Sequence, residues 1–190
     1  MKGILKIIGA VAVINIIARL VGFAREQYIG IQYGTTVYSD SIINAYTIPN
    51  FLYLVIGGAF TTAFISVYHK TSSSITEYIR RTFTTIVITI TLVVILFMVL
   101  ADPILMQFFH VKDEAEYEML RSLYFWMMPS TIMLVLSTWM SGILNVQGRY
   151  HLSAFSVLIY NGSFLIVSVV LSITMGPIGM GIGALVGAIC

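Results

Sequence analysis

The sequence predicts an all-α integral membrane protein with about six transmembrane helices, and two observations lead to this class. The 190 residues are 58% hydrophobic and only 9% charged, with a mean hydropathy of +0.95. A soluble domain carries about 25% charged residues, so a water-soluble core is excluded. The few charges also separate long apolar runs, and the run 82–101 has no ionisable side chain. About 20 apolar residues suffice to cross a hydrocarbon core of about 30 Å.

The apolar runs place the predicted helices in order. They are expected at 3–33, 37–69, 79–109, 117–147, 151–174 and 178–190. The last of these would be only about 20 Å long at about 1.5 Å per residue. We therefore expect a truncated sixth helix, so that residues 1–190 are the N-terminal transmembrane part of a longer protein.

Charges between the helices predict the orientation. With the N-terminus cytoplasmic, the inner face receives most of the basic residues: Lys2, Lys6, Lys70, Arg80, Arg81 and Arg149. The outer face receives the acidic cluster, with two basic exceptions beside it: Asp113, Glu114, Glu116, Glu118, Lys112 and Arg121. This is the positive-inside pattern of a multi-pass protein in a cell membrane. Lys2 and Lys6 precede an apolar run without a cleavage site after it, so the first helix is expected to be retained.

The same composition argues against several function classes. Cys190 is the only cysteine, so no disulfide framework is possible. The sequence contains no nucleophile–base pair, no Gly-rich phosphate loop and no set of metal ligands at suitable spacing, so we expect neither an enzyme nor a cofactor nor a metal site. The basic residues form no patch suited to nucleic acid. Membrane lipids are the partners that such a surface requires.

Charged residues inside the first helix are the main functional signal. Arg19, Arg25 and Glu26 interrupt the apolar stretch "ARLVGFAREQYIG". Charges inside a bilayer cost several kcal/mol unless they face water or a partner. Taking Lys6 as the inner anchor, Arg19 is expected inside the layer, with Arg25 and Glu26 near its outer edge. At about 100° per residue, Arg19 and Glu26 share a face, and Arg25 is turned about 120° from Arg19.

The residues alone leave three interpretations of these charges open. Arg25 and Glu26 reach the outer interface as snorkelling side chains. Alternatively, Arg19 or Arg25 pairs with Asp40, which lies at a similar depth in the second helix. In the third interpretation, a hydrated cavity presents the arginines to an anionic ligand. The planar fork of arginine suits phosphate because it donates bidentate hydrogen bonds.

Prolines and small residues predict how the other helices bend and pack. Pro49 removes a backbone donor and should kink the second helix. Near it, Asn44 and Asn50 are expected to satisfy the freed carbonyls or to line a cavity. Pro129 marks a second expected kink. The small residues at four-residue spacing in the last helix predict a close helix–helix contact at Gly179, Gly183 and Gly187.

Three stretches together resemble a known family. They are "RLVGFAREQYIG" followed by Asp40, "IPNFLYLVIGGAFTTAFISVY", and "SGILNVQGRYHLSAF". In order and spacing, over essentially the whole chain, they resemble the N-terminal signature of MurJ/MviN-type lipid II flippases. These belong to the multidrug/oligosaccharidyl-lipid/polysaccharide exporter superfamily.

The resemblance implies a fold and an activity. Members have two helical lobes around a central cavity, and residues 1–190 would form the first lobe, with the C-terminal lobe missing. By alternating access they move lipid II, the undecaprenyl-diphosphate-linked peptidoglycan precursor, to the outer leaflet of the bacterial plasma membrane. Arg19 and Arg25 match cavity arginines that meet the diphosphate, and Asp40 matches a required acidic position. Where the family often has another arginine, this chain has Tyr53.

The expected site therefore comprises two arginines and a polar surround. Arg19 and Arg25 are the predicted diphosphate contacts. The predicted cavity and gating residues are Glu26, Asp40, Asn44, Pro49, Asn50 and Tyr53. Three alternatives remain: a polysaccharide-lipid flippase, a drug/cation antiporter of the same superfamily, and a non-transporting membrane scaffold. An antiporter for cations requires acidic cavity residues, and here the arginines offset the two candidates.

Overall fold

The fold is helical throughout the residues that this computed structural model describes, apart from short turns. Those residues are 2–34, 36–68, 75–109, 111 and 113–190, with side chains from residue 7 onward. In chain order the elements are α1 (Lys2–Tyr33), α2 (Val37–Leu52), a π-helical turn (Tyr53–Gly57), α3 (Gly58–Tyr68), α4 (Ile75–Val99), α5 (Ala101–Phe108), α6 (Glu114–Met127), α7 (Ser130–Val146), α8 (Tyr150–Met175) and α9 (Ile178–Ile189). The all-α class is confirmed.

Several helical stretches are long and apolar enough to cross a membrane. Within the described residues these are five: Ile7–Tyr33, Val37–Tyr68, Ile75–Val99, Glu114–Val146 and Tyr150–Met175. The shorter apolar helix α9 follows them. The chain is a multi-pass membrane protein, in agreement with the expected number of about six helices.

Two helices begin earlier than the sequence pattern suggested. α4 starts at Ile75 rather than at 79, and Glu77 accepts a hydrogen bond from Arg81 one turn later, at 2.5 Å. α6 starts at Glu114 rather than at 117, because the Asp113 carboxylate caps it by accepting from a backbone N–H at 2.8 Å. Polar residues at these ends stabilise helix rather than loop.

Two expected helices are interrupted. The predicted helix 79–109 divides at Leu100 into α4 and α5, three residues before Pro103. The predicted helix 117–147 divides at Met128 and Pro129 into α6 and α7. A proline nitrogen cannot donate the i→i−4 hydrogen bond, so the ladder is open at both places.

The second predicted helix, 37–69, is continuous in its described part but changes its winding. Pro49 lies within α2, and the π-helical turn Tyr53–Gly57 follows it before α3 continues to Tyr68. Such turns insert one extra residue and redirect the side chains beside them.

Residue 69, Lys70 and Lys112 lie outside the described residues, as do the side chains of Lys2 and Lys6, so the loop charges are only partly described.

The small residues of α9 pack directly against α8, as expected. A Cβ added at Gly179 would lie 2.6 Å from the carbonyl carbon of Leu171, and one at Gly187 would lie 2.9 Å from the backbone nitrogen of Phe164. Gly183 is equally closely placed against α8. Larger side chains would separate the two helices, so the glycines set this close contact.

α1 packs chiefly along α8 rather than along α2, its neighbour in sequence. The α8-facing side of α1 is marked by the buried residues Ala18 and Ile29, and the Tyr28 and Ser172 hydroxyls lie 2.5 Å apart. Because Arg25 follows the same helical spacing, this packing turns it toward α8.

Candidate functional site

Arg25 is held among helices α1, α2 and α8. Its side chain is 11% exposed, and its guanidinium carbon lies 4.6 Å from the ring centroid of Phe164 and 5.4 Å from that of Tyr46. Its Nη2 and Nε donate to Oε1 of Glu26, at 2.5 and 3.2 Å. Among the described residues Nη1 has no acceptor. The cation is therefore fixed by rings and one carboxylate, with donors left for a ligand.

The rings around Arg25 form a connected group. The hydroxyls of Tyr46 and Tyr160 lie 3.1 Å apart, and the Phe164 ring lies 6.2 Å and 6.0 Å from those two rings. Phe164 is buried, and its backbone contacts Gly187 of α9. The close α8–α9 contact therefore fixes the ring over which the guanidinium lies.

Arg25 lies level with the middle of α8, because it contacts Phe164, which is near the middle of Tyr150–Met175. α1 and α8 lie side by side here, since Gly22 is next to Asn161. The 32 residues of α1 extend about 48 Å at about 1.5 Å per residue, so its first turns precede the start of α8.

Two cavities of different chemistry meet at Arg25. One, of about 350 Å³, is here called the apolar cavity, because most of its wall is hydrophobic: Ile29, Ile42, Ile43, Phe51, Leu54 and Phe164. The other, of about 340 Å³, is called the hydroxyl cavity, after five side chains of α7 and α8: Ser137, Thr138, Ser141, Ser153 and Ser156. Arg25, Tyr46 and Asn50 line both cavities.

Arg19 does not share either cavity with Arg25. It is exposed, and it lines a separate groove of about 300 Å³ together with Asn15, Gly22 and Asn161. Val157 and Asn161 also line the hydroxyl cavity, so these two residues stand between the Arg19 groove and the Arg25 site. The two predicted diphosphate contacts therefore face different spaces.

The ion pair of Arg25 distinguishes the interpretations that the sequence left open. Arg25 pairs with Glu26, while Asp40 is exposed in the first turn of α2 and makes no ion pair among the described residues. The pairing of either arginine with Asp40 is therefore not the arrangement found. The Arg25 guanidinium lies between the rings of Tyr46 and Phe164, near the middle of α8.

The remaining predicted residues divide between the cavities and the helix packing. Asn50 lines both cavities, and Tyr53 lines the hydroxyl cavity where the π-helical turn begins. Asn44 is half-buried and Pro49 is buried, and both lie outside these two cavities. Within the described part of the chain, no group of three or more His, Cys, Asp or Glu side chains is gathered as for a metal ion.

Sequence reasoning missed the aromatic group and the hydroxyl wall. The serines had a signal, since Ser137 with Ser141 and Ser153 with Ser156 stand at four- and three-residue spacing and so share helix faces. Phe164 had none, because an aromatic residue in an apolar helix has the same pattern whether it packs or contacts a cation.

Comparisons with known proteins identify the family to which the chain belongs. The sequence model of the family described as "Lipid II flippase MurJ" matches residues 29–190. The chain belongs to this family. The match begins after Glu26, so the charged segment of α1 lies outside the matched range.

Individual MurJ relatives cover most of this chain. It is 26% identical over 167 residues to a protein of Rickettsia prowazekii (strain Madrid E) named "Probable lipid II flippase MurJ". It is 28% identical over 175 residues to a protein of the same name from Buchnera aphidicola subsp. Schizaphis graminum (strain Sg). These alignments cover 84% and 87% of this chain but 33% and 34% of the relatives. The chain thus spans about a third of the length of these MurJ relatives.

A solved MurJ structure shares the fold. The protein titled "Lipid II flippase MurJ, inward closed conformation" superposes with a TM-score of 0.76 at 23% identity, over 94% of this chain and 39% of that one. The described helices therefore have the arrangement of a MurJ membrane protein.

Proposed function

We propose that residues 1–190 form the N-terminal lobe of a flippase that moves undecaprenyl-diphosphate-linked peptidoglycan precursor, lipid II, to the outer leaflet. The single observation that carries the proposal is the placement of Arg25. A guanidinium inside a helix bundle, with unused donors beside two cavities, is suited to a phosphate group. Family membership supplies the substrate class.

Glu26 gives this site a means of release. Without substrate it accepts two hydrogen bonds from Arg25, and its own side chain is 51% exposed. An arriving diphosphate displaces the Glu26 carboxylate, which turns to water, and the carboxylate returns when the phosphate leaves. Competition of this kind keeps binding weak enough for turnover.

Arg19 is the second proposed diphosphate contact, reached from the neighbouring groove past Asn161. Asp40 and Asn44 are proposed as polar groups that act at the α1–α2 side when the lobes move. Pro49, the π-helical turn and the break at Pro129 are proposed points of flexing during alternating access. Support for a second lobe comes from the length of the relatives, of which this chain spans about a third.

The proposed orientation places the N-terminus in the cytoplasm. Arg80, Arg81 and Arg149 then lie at the inner face, and the acidic start of α6 lies outside. Reporter fusions at Gly148 and at Gly34 test this: a cytoplasmic reporter is expected to be active at Gly148 and inactive at Gly34. The reverse result contradicts the orientation.

A cation antiporter is less well supported than a flippase. Its acidic cavity residue would have to be Glu26, yet the Glu26 carboxylate is already paired with the Arg25 guanidinium. A scaffold function would make Arg25 a structural residue only, and that difference can be tested.

The decisive experiment is rescue of bacteria depleted of their lipid II flippase by the full-length protein. Wild type is expected to restore growth, and Arg25→Ala to abolish rescue. Arg25→Lys is expected to restore it partly, since a lysine keeps the charge but not the fork. Arg121→Ala is the matched control, because Arg121 also pairs with a carboxylate but is exposed. If Arg25→Ala supports growth at wild-type protein levels, the proposed role of Arg25 is wrong.

A further inference from the structure

A groove of about 390 Å³ on α6 lies apart from the Arg25 site and has no part in the proposed function. Its wall is one face of that helix, because residues at three- and four-residue spacing share a face: Glu118, Arg121, Ser122, Phe125 and Trp126. These residues line neither the apolar cavity nor the hydroxyl cavity. We propose that the groove binds a membrane phospholipid with an ethanolamine headgroup, a zwitterion of one phosphate and one ammonium.

Arg121 lies at the level of the lipid phosphates. It begins the apolar part of the span Glu114–Val146, and the sequence has no charged residue between Arg121 and Arg149. As helix, that segment extends about 42 Å at about 1.5 Å per residue, which equals the ~40–45 Å of a bilayer with its headgroup regions. The two arginines therefore mark the two headgroup layers.

The Arg121 guanidinium has donors for a phosphate. Its Nε donates to Oδ1 of Asp102 at 2.7 Å, and the Tyr117 hydroxyl donates to the same oxygen at 2.7 Å. Among the described residues, no carboxylate or carbonyl accepts from its two Nη groups. The guanidinium carbon lies 5.2 Å from the ring centroid of Phe125. Asp102 and Phe125 thus orient the side chain and leave its Nη donors for a phosphate.

Glu118 supplies the charge that an ammonium requires. It is exposed, and its carboxylate makes no ion pair with the described residues. Glu118 precedes Arg121 by about one turn, so it lies farther from the hydrocarbon. The ammonium also lies on the water side of the phosphate, because it ends the headgroup. The order of the two charges on α6 therefore matches a zwitterion, whereas a purely anionic headgroup would be repelled by Glu118.

Trp126 suits the glycerol and the start of the acyl chains. It follows Arg121 by five residues, which places it about 7.5 Å deeper at about 1.5 Å per residue. The residue is 43% exposed, and a Cβ added at Gly181 of α9 would lie 3.0 Å from its own Cβ. Tryptophan is enriched at membrane interfaces because its ring is apolar while its N–H donates. From water inward, the groove thus presents a carboxylate, a guanidinium and an aromatic ring.

Quenching of Trp126 fluorescence reports which lipid occupies the groove. The full-length protein is placed in nanodiscs of equal parts phosphatidylethanolamine and phosphatidylglycerol, with brominated acyl chains on one lipid or the other. Subtracting the signal of Trp126→Phe protein isolates this ring. Brominated phosphatidylethanolamine is expected to quench wild type about threefold more strongly, the ratio that one solvent-exposed ion pair gives.

Substitutions of the two charged residues test the recognition. Glu118→Gln is expected to bring the quenching ratio close to unity, because an amide keeps the shape of the carboxylate but not its charge. Glu114→Gln is the matched control, since Glu114 is also an exposed acid of α6 but lies outside this groove, and its ratio should equal that of wild type. Arg121→Gln should also lower the ratio, and Arg121→Lys should keep part of it. Thermal unfolding of each variant checks its fold.

Three results would overturn the proposal. Equal quenching of wild type by the two lipids would mean that the groove does not select a headgroup. Stronger quenching by brominated phosphatidylglycerol would mean that Arg121 attracts anionic lipid and that Glu118 takes no part. A wild-type ratio in Glu118→Gln would exclude this carboxylate as the partner of the ammonium. Each result leaves the proposed function standing, because the groove shares no residue with the cavities at Arg25.

Discussion

Two arginines of this protein have the same types of neighbour but different surroundings. Arg25 pairs with Glu26, and Arg121 pairs with Asp102, in each case with a phenylalanine ring below the guanidinium, at 4.6 Å and 5.2 Å. The Arg25 side chain is 11% exposed and lines two cavities, whereas the Arg121 side chain is 48% exposed. The contact pattern alone therefore does not define a site.

The difference lies in what each pair can do. Around Arg121, solvent screens the pair, so it contributes little beyond holding α5 to α6 through Asp102, which also accepts from the Tyr117 hydroxyl at 2.7 Å. The Arg25 side chain is only 11% exposed, so its electrostatic interactions are screened less. We call Arg25 with Glu26 and Phe164 the inner cluster, and Arg121 with Asp102 and Phe125 the outer cluster; these names refer to burial and not to the membrane faces. The following substitutions compare the two clusters.

The largest effect is expected from separating α9 from α8. Gly187→Leu places a side chain where a Cβ already lies 2.9 Å from Phe164, so overpacking should cost about 1–3 kcal/mol and displace the ring below Arg25. Thermal unfolding in detergent should occur at a lower temperature, and rescue of growth should fail. Gly30→Leu, with no neighbour within 4 Å, is the control. Unchanged unfolding of Gly187→Leu would contradict the close contact.

Replacing the phenylalanine of each cluster should have a smaller effect, and the affinity for undecaprenyl diphosphate should change in only one of the two variants. Phe164→Leu keeps an apolar side chain but loses a cation–π contact worth about 1–2 kcal/mol when desolvated, so affinity for undecaprenyl diphosphate should fall about tenfold. Phe125→Leu at the outer cluster should leave that affinity unchanged. Equal affinities for the two variants would mean that the ring does not position Arg25.

Neutralising the carboxylate of each cluster in turn should change the affinity for undecaprenyl diphosphate in only one of the two variants. Glu26→Gln removes the competitor for Arg25, so undecaprenyl diphosphate should bind about three- to tenfold more tightly, as one charge-assisted hydrogen bond contributes. Asp102→Asn should have no effect on that affinity. Binding and release are followed by stopped-flow fluorescence, and slower release from Glu26→Gln is expected. Weaker binding would show instead that Glu26 orients the guanidinium.

The smallest effect is a pH dependence of the outer cluster. Hydrogen bonds from Tyr117 and Arg121 hold the pKa of the Asp102 carboxyl below its ordinary value. Its stabilising contribution is therefore complete above the ordinary pKa of about 3.9 and is lost as the pH falls through the lowered value. The unfolding temperatures of wild type and Asp102→Asn should differ slightly at neutral pH and converge in strong acid. A difference that grows in acid would contradict this sign.

Much of the fold could be predicted because the rules for it are local. The lengths of the apolar runs predicted the helices. The four-residue spacing of Gly179, Gly183 and Gly187 predicted a close helix–helix contact, which the structure shows between α9 and α8. The break at Pro129 falls where the sequence predicts a kink, whereas the break at Leu100 was not predicted. Helix starts at Ile75 and Glu114 were missed since charged residues there were taken for loop.

By itself the sequence determined that this protein is a helical membrane protein, that arginines lie within its first span, and that it resembles MurJ-type flippases. Tertiary structure alone decided that Arg25 and not Arg19 lies between rings, that its partner is Glu26 rather than Asp40, and that an apolar and a hydroxyl-lined cavity meet there. The physical reason is that composition and periodicity determine which residues form a helix and which of them share a face of that helix. The neighbours of a side chain depend on how helices align, which α1 and α8 settle through contacts more than a hundred residues apart in sequence, such as that of Tyr28 with Ser172.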